Sequence, residues 1–155
     1  NQIDKNKYEI IIVGNGSKKE WVIERIESFS NVTYHEPVPY AELSDLLCSA
    51  DAHLLFQKSD VIDTVMPSKV LGMMASAKPS VIIGNDQSEV KSIFEASKGG
   101  LYFTKYSSKL ITEVNRILSD PSVKTKMGKN ARSYVIEHYS KDQILSRMVD
   151  ELIDL

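Results

Sequence analysis

The sequence contains few residues of the types that support disulfide or metal chemistry. One of its 155 residues is cysteine, Cys48, and three are histidine, His35, His53 and His138. A single cysteine cannot form an internal disulfide, and the histidines lack the spacing of metal ligands. We therefore expect no metal site. Cys48 is predicted to be a core residue on an apolar helix face, and His53 a hydrogen-bonded core residue.

The sequence also lacks a strong excess of charge and any long apolar run. Lys and Arg number 19 and Asp and Glu 21, which gives a net charge of −2. This balance argues against non-specific binding to nucleic acid or anionic lipid. No apolar run approaches the ~20 residues of a membrane-spanning helix. The apolar fraction of 42% and the length are those of one ordinary globular domain.

Short apolar runs alternate with helical patterns along the first two thirds of the chain. The runs predict strands at residues 8–13, 32–35, 52–57, 79–83 and 101–103. Helical patterns separate them, and three more helices follow residue 107, divided at Pro121 and near Ser140. This order predicts an α/β fold. We expect a Rossmann-like, doubly wound parallel sheet of about five strands, with helices on both faces and a helical carboxyl terminus.

Ligands of such sheets bind beyond the carboxyl ends of the strands. The segments 14–17, 36–40, 58–68 and 84–89 fall at that edge. In the first, Gly14, Asn15 and Gly16 permit a tight turn and a close approach of phosphate to backbone N–H groups. The dinucleotide fingerprint needs a third glycine where Lys19 stands, and Glu36 is its only acidic candidate, so NAD binding is weakly supported. A turn without a ligand remains the alternative.

Two helix starts follow strands at this edge. Ser17 and Glu20 form a capping-box pattern, so Ser17 is predicted to cap the first helix. The segment 66–69 (MPSK) opens the third helix, where Met66 has no side-chain oxygen for capping. The N–H groups of Ser68 and Lys69 would then be free for an anion, which the helix dipole and the Lys69 ammonium would favour. The alternative is that water molecules bind the free N–H groups at the start of this helix.

Several stretches together resemble the family 4 retaining glycosyltransferases. Residues 37–51 (PVPYAELSDLLCSAD) resemble a stretch of that family, and residues 75–79 (ASAKP) resemble its Ala-x-Gly-Lys-Pro signature. Residues 53–58 (HLLFQK), Asp63 and residues 66–76 (MPSKVLGMMAS) are similar to the branch that includes the colanic-acid biosynthesis glycosyltransferases. The resemblance extends from about residue 8 to about residue 139.

The resemblance implies one half of a GT-B fold, in which two Rossmann-like domains face each other across a cleft. Residues 1–155 would be the nucleotide-sugar donor-binding domain, without the amino-terminal acceptor-binding domain. The first strand of the donor domain, with its basic diphosphate-binding residues, would also be absent. Because the chain starts at Asn1 rather than methionine, we expect a fragment of a longer protein or a processed chain. Without the acceptor-binding domain and those basic residues, this fragment is expected to be inactive alone.

The implied activity is that of a retaining, metal-independent hexosyltransferase with no cofactor. Its donor would be a UDP- or GDP-linked sugar. Its acceptor would belong to bacterial surface polysaccharide, lipopolysaccharide or glycolipid synthesis. The full-length enzyme would be cytoplasmic and would meet the inner face of the membrane only peripherally, with no nucleic-acid partner.

The resemblance also assigns roles to the candidate residues. Lys69 would be catalytic. The diphosphate would be bound by Gly14, Asn15, Gly16, Ser68 and Lys69, the sugar or ribose by Asp63, Thr64, Val65 and Met66, and the base by Val38, Pro39 and Tyr40. The Glu-x7-Glu pair of many family members falls on Thr64 and Gly72, so neither carboxylate is present. Asp63 and Lys69 would replace that pair.

Two other functions fit parts of the pattern. A non-catalytic module for nucleotide binding or assembly is favoured by the missing glutamates and basic residues. A sugar-nucleotide epimerase half of the same fold would need a histidine and carboxylates converging on the sugar, and the three histidines offer no such pattern.

The last predicted helix carries an apolar stripe. It comprises Ile144, Leu145, Met148, Val149, Leu152 and Ile153. If part of the stripe is exposed, we expect weak self-association through this helix. The alternative is that the helix packs fully onto its own sheet.

Overall fold

A computed structural model of the chain describes residues 4–57 and 68–153. Within these two ranges there are five strands: β1 (Ile10–Val13), β2 (Val32–His35), β3 (His53–Phe56), β4 (Ser80–Ile83) and β5 (Gly100–Phe103). Seven α-helices are described: α1 (Lys19–Ile26), α2 (Leu43–Ser49), α3 (Ser68–Ala75), α4 (Glu89–Ser97), α5 (Ser108–Ser119), α6 (Pro121–Tyr139) and α7 (Lys141–Ile153). A 3-10 helix, Tyr40–Glu42, precedes α2. The chain divides into two compact units, Asn1–Leu43 (unit 1) and Ser44–Leu155 (unit 2).

Unit 1 is a parallel pair of strands joined by α1. Ile10 lies opposite Val32 and Val13 opposite His35. The predicted cap at Ser17 is wrong, because α1 begins after Lys18 and has no side-chain cap. The chain already turns before the helix, since the Lys19 N–H donates to the Gly16 carbonyl at 3.0 Å. The helix therefore starts one residue later than the capping box requires.

Unit 2 is a parallel sheet with the order β3-β4-β5 and helices on both faces. Successive residues of β4 point to opposite faces. Ile82 joins a core cluster with buried residues of α3, α4 and α6, and Val81 joins a second cluster with buried residues of α5. The predicted α/β class, with parallel strands, flanking helices and a helical carboxyl terminus, is confirmed.

The buried apolar core lies in unit 2. Its residues are Val70, Met73, Met74, Val81, Ile82, Val90, Ile93, Phe94, Leu110, Val114, Ile117 and Ala131. No apolar side chain in the described part of unit 1 is fully buried. Because burial of a large apolar side chain contributes about 1.5–3 kcal/mol, most hydrophobic stabilisation comes from unit 2.

The end of α3 is fixed against α6, at what we call the α3–α6 junction. Ala77 follows α3 in a left-handed conformation with φ of 57°. Gly128 of α6 comes so close that a Cβ atom placed on it would lie 1.9 Å from the Ala77 carbonyl oxygen. The Arg132 guanidinium donates to the Ala75 carbonyl at 2.6 Å. This contact therefore depends on a glycine at position 128.

The sequence predicts that His53 and Cys48 are both core residues, but the two side chains differ in burial. His53 is half-buried, with Nε2 2.9 Å from the Ser76 hydroxyl. Burial, and then the nearby Lys78 charge, lower the pKa of His53 to about 4, so the ring is neutral at pH 7. The prediction for Cys48 is wrong, because this residue is exposed. The seven-residue α2 half-buries Leu46 and Leu47, while Cys48 lies outside that stripe.

The terminal helix α7 has no buried residue and packs against α6. Its apolar stripe is largely exposed, with 69% of Leu152 and 76% of Ile153 accessible. Full packing of this helix onto its own sheet is therefore not what the structure shows. Within residues 4–57 and 68–153, no helix is both long and apolar enough to cross a membrane.

Candidate functional site

Unit 1 brings two of the predicted subsites to one sheet edge. The 14–16 turn follows β1 and the 38–40 segment lies just beyond β2, and these strands are parallel and in register. The Tyr34 hydroxyl donates a hydrogen bond to the Gly14 carbonyl, which ties the end of β2 to the turn. In the predicted base segment Val38 is half-buried, and Tyr40 is 91% exposed.

The space above the 14–16 turn is open. No atom lies within 4 Å of a Cβ placed on Gly14 or Gly16, and no described glycine has a positive φ. Gly14 donates its N–H to the His35 carbonyl at 3.3 Å, whereas no described residue accepts from the N–H groups of Asn15 or Gly16. Backbone strain therefore does not require these glycines, and the turn has room for a ligand.

Lys19, Glu36 and Tyr34 form a polar cluster beside this turn. The Lys19 ammonium makes an ion pair with the Glu36 carboxylate and lies 5.7 Å from the centroid of the Tyr34 ring. The hydrogen bond to Glu36 is the main cause that raises the pKa of Lys19. Glu36 is thus engaged by a lysine and is not positioned as a free ribose acceptor of a dinucleotide site.

The cluster contains two residues to which the sequence analysis gave no role in binding. In the sequence, Lys19 stands where the dinucleotide fingerprint needs a third glycine, and none of the binding motifs includes Tyr34. Their positions along the chain could have indicated a binding role. Tyr34 lies near the carboxyl end of β2, and Lys19 is the first residue of the helix after the turn. Both positions face the sheet edge where ligands of parallel sheets bind.

In unit 2 the predicted anion-binding helix start is present. Helix α3 begins at Ser68, and the side chains of Ser68 and Lys69 are exposed. The predicted sugar-contacting residues Asp63, Thr64, Val65 and Met66 lie outside the described residues.

Gly72, at the position of a missing glutamate, lies on α3. A Cβ placed on it would be 3.4 Å from Leu47 Cδ1. The Cβ atom of a larger residue at position 72 would therefore contact α2.

Hydrogen bonds within the segment after β4 and from β5 hold this segment in place. The Tyr102 hydroxyl donates to the Asn85 carbonyl at 2.7 Å, and the Ser88 hydroxyl accepts from the Val90 N–H. Among the described residues, no group of three or more His, Cys, Asp or Glu side chains could hold a metal ion.

Solved structures with the same architecture define the class of the fold as GT-B. Sucrose-phosphate synthase from Thermosynechococcus elongatus matches with a TM-score of 0.73 and 16% identity, over 94% of this chain and 38% of that chain. HepE from Anabaena, solved in complex with UDP, matches with a TM-score of 0.74 and 18% identity, over 96% and 41%. WaaG, a glycosyltransferase involved in lipopolysaccharide biosynthesis, matches with a TM-score of 0.64 and 16% identity, over 94% and 38%.

The chain belongs to the group 1 glycosyl transferases, whose family profile matches residues 1–134. The match confirms the prediction of a glycosyltransferase domain. The chain spans about two fifths of the length of the solved chains that it resembles. A comparison with curated proteins gave no significant match.

Proposed function

We propose that the chain is the donor-binding domain of a retaining, metal-independent glycosyltransferase. The full-length enzyme would transfer a hexose from a UDP- or GDP-linked sugar to a polysaccharide or glycolipid acceptor. The family match over residues 1–134 carries this proposal, and the UDP complex of the similar HepE supports a nucleotide-linked donor. Within the family we place the chain in the colanic-acid branch, on the MPSK segment. The enzyme would act in the bacterial cytoplasm, peripherally at the membrane.

The chemistry of the reaction requires positive charge around the leaving group. As the glycosidic bond of the donor breaks, negative charge builds on the departing diphosphate. Lys69 and the N–H groups at the start of α3 are the groups proposed to stabilise that charge, and the 14–16 turn would hold the diphosphate. The 38–40 segment would bind the base, and residues 63–66 the sugar or ribose.

A ligand panel tests the proposed function directly. Thermal unfolding is followed with UDP, GDP, ADP and their sugars, with uridine as the control that lacks phosphate. A ligand present at 100 times its Kd stabilises the folded protein by about 2.7 kcal/mol. We expect one nucleoside diphosphate to raise the melting temperature clearly above the others. The absence of any shift across the panel would contradict donor binding by this chain.

Replacing Lys69 by alanine is expected to weaken nucleoside-diphosphate binding by ~1–3 kcal/mol, the range for hydrogen bonds to charged groups. Folding stability should hardly change, because a lysine in the first turn of a helix opposes the dipole. Calorimetric titration measures the affinity. Lys109→Ala is the matched control, since Lys109 is also exposed and also the second residue of its helix, α5. Equal affinities for the parent and Lys69→Ala would remove Lys69 from the site.

The alternative, a non-catalytic nucleotide-binding or assembly module, is favoured by the glycine at position 72. A reconstituted enzyme separates the two functions. The chain is joined to an amino-terminal acceptor-binding half, and sugar transfer is measured beside donor binding. Donor binding without transfer favours the module, whereas transfer that Lys69→Ala reduces supports the enzyme.

We also propose weak self-association through the exposed stripe of α7. Sedimentation over a range of concentrations is expected to show a reversible dimer that Leu152→Glu/Ile153→Glu abolishes, because the two charges oppose burial of the stripe. Gln143→Glu/Ser146→Glu adds the same charge to exposed polar positions of α7 and should leave the dimer intact. A parent chain that remains monomeric at every concentration contradicts the proposal.

A further inference from the structure

We propose that Lys19 is a further binding residue of the donor site, with its ammonium meeting the anionic diphosphate at the 14–16 turn. This inference rests on the proposed function. Hydrogen bonds in which the donor and the acceptor are both charged are stronger than neutral ones, so a cation beside the turn would strengthen the binding of a dianionic or trianionic ligand there. The structure places the Lys19 ammonium over the ring of Tyr34, whose hydroxyl bonds to the Gly14 carbonyl of the turn.

The position of Lys19 is set by contacts to the turn itself. Its N–H donates to the Gly16 carbonyl, so its backbone closes the turn. The Tyr34 side chain links the two groups, because its hydroxyl bonds to the Gly14 carbonyl while its ring lies 5.7 Å from the Lys19 ammonium. A cation over an aromatic ring is held by the negative face of that ring. Tyr34 therefore contacts both the 14–16 turn and the Lys19 ammonium.

The ion pair with Glu36 contributes little to folding. The Glu36 side chain is 55% exposed, and exposed ion pairs contribute about 0–1 kcal/mol. Among the described residues, the neighbouring Lys18 is exposed and has no ion-pair partner. A diphosphate carries more negative charge than one carboxylate, so it can displace Glu36 from the ammonium. Glu36 is thus the partner of Lys19 in the free protein and a competitor of the ligand.

The two residues of the ion pair lie next to the two predicted subsites of unit 1 in the sequence. Lys19 follows the 14–16 turn directly, and Glu36 stands just before the 38–40 segment that is predicted to bind the base. A nucleoside diphosphate carries its base and its diphosphate at opposite ends. A ligand that lies along this edge with its base at the 38–40 segment would bring its diphosphate to Lys19.

The test uses inorganic pyrophosphate, which needs no base, together with UDP and uridine. Affinities are measured by titration for the parent, Lys19→Gln, Lys19→Arg and the matched control Lys18→Gln. Lys19→Gln should weaken binding of pyrophosphate and UDP at least tenfold and leave uridine binding unchanged. Lys18→Gln should change each affinity less than twofold, and Lys19→Arg should stay within threefold of the parent. Melting temperatures should agree within about 2 °C.

A second variant keeps the test decisive if Lys19→Gln does not fold. Glu36→Gln retains the lysine and removes its competitor, so pyrophosphate should bind two- to fivefold more tightly. Weaker or unchanged binding in Glu36→Gln, equal effects of Lys18→Gln and Lys19→Gln, or no binding of pyrophosphate to the parent would each overturn the role of Lys19. UDP binding that Lys19→Gln leaves unaltered would overturn that role and leave the proposed function standing. Failure of every nucleoside diphosphate to bind would overturn the proposed function itself.

Discussion

Substituting Gly128 by alanine is expected to lower the free energy of unfolding by about 3 kcal/mol or more. The added Cβ would lie 1.9 Å from the Ala77 carbonyl oxygen and 2.6 Å from its carbonyl carbon. Both are backbone atoms, so no side-chain rotation can relieve the clash. Ala77 itself is in the left-handed region, where a non-glycine residue is already disfavoured. The end of α3 or the whole of α6 would have to move, which disturbs the core around Met74 and Ala131.

Thermal unfolding followed by circular dichroism at 222 nm measures the effect of Gly128→Ala. In a domain of this size, 1 kcal/mol corresponds to roughly 2–4 °C, so the midpoint should fall by roughly 6–12 °C. Gly72→Ala is the matched control, because Gly72 also lies in a helix but its added Cβ would meet only the end of the Leu47 side chain, at 3.4 Å. That change should raise stability by ~0.5–1 kcal/mol through helix propensity. A Gly128→Ala protein within 1 kcal/mol of the parent would contradict the close contact.

Gly16→Val is expected to abolish diphosphate binding while the protein stays folded. The valine side chain would fill the open space above the turn, where the phosphate is proposed to approach the backbone N–H groups. Folding should survive, because the structure shows no positive φ at Gly16 and no atom within 4 Å of an added Cβ. If the glycine were needed for conformation, the same substitution would instead destabilise the fold.

Circular dichroism and titration with UDP on the same sample distinguish the two roles of Gly16. Ser17→Val serves as the control, since it adds a similar side chain one residue later and Ser17 does not cap α1. Loss of affinity in Gly16→Val alone supports the phosphate site. Intact folding together with intact binding in Gly16→Val contradicts that site.

The elements of the fold could be read from the sequence because each is bounded by a strong local signal. The apolar run that ends at Gly14 contains β1, and the run that ends at Gly84 contains β4. Strand β2 was predicted with the bounds that the structure shows. At β1, β3 and β4 the predicted run exceeds the strand by one or two residues at an end, because its terminal residues lie outside the hydrogen-bonded ladder. Strand β5 instead begins one residue earlier than predicted, at Gly100.

Contacts between distant elements could not be read in this way. Glu36 is 17 residues from Lys19, and the Arg132 hydrogen bond reaches 57 residues back to Ala75. Such pairs depend on the register of β1 and β2 and on how α6 lies on α3, which local patterns do not specify. The prediction for Cys48 failed for a related reason, since the apolar pattern of a short helix does not show which of its residues the rest of the fold will cover. The roles assigned to residues 63–66 remain predictions.

The packing of α6 has a consequence for exchanging domains between GT-B enzymes. The family match ends at residue 134, but Val135 and Tyr139 pack against the core, and the Tyr139 ring lies 6.3 Å from that of Tyr134. Ser140 is extended, with ψ of 152°, and no residue of α7 beyond it is buried. A hybrid protein joined at the end of the family match would lose two side chains that line the core. A join at Ser140 keeps both side chains, and it replaces only α7, none of whose residues is buried.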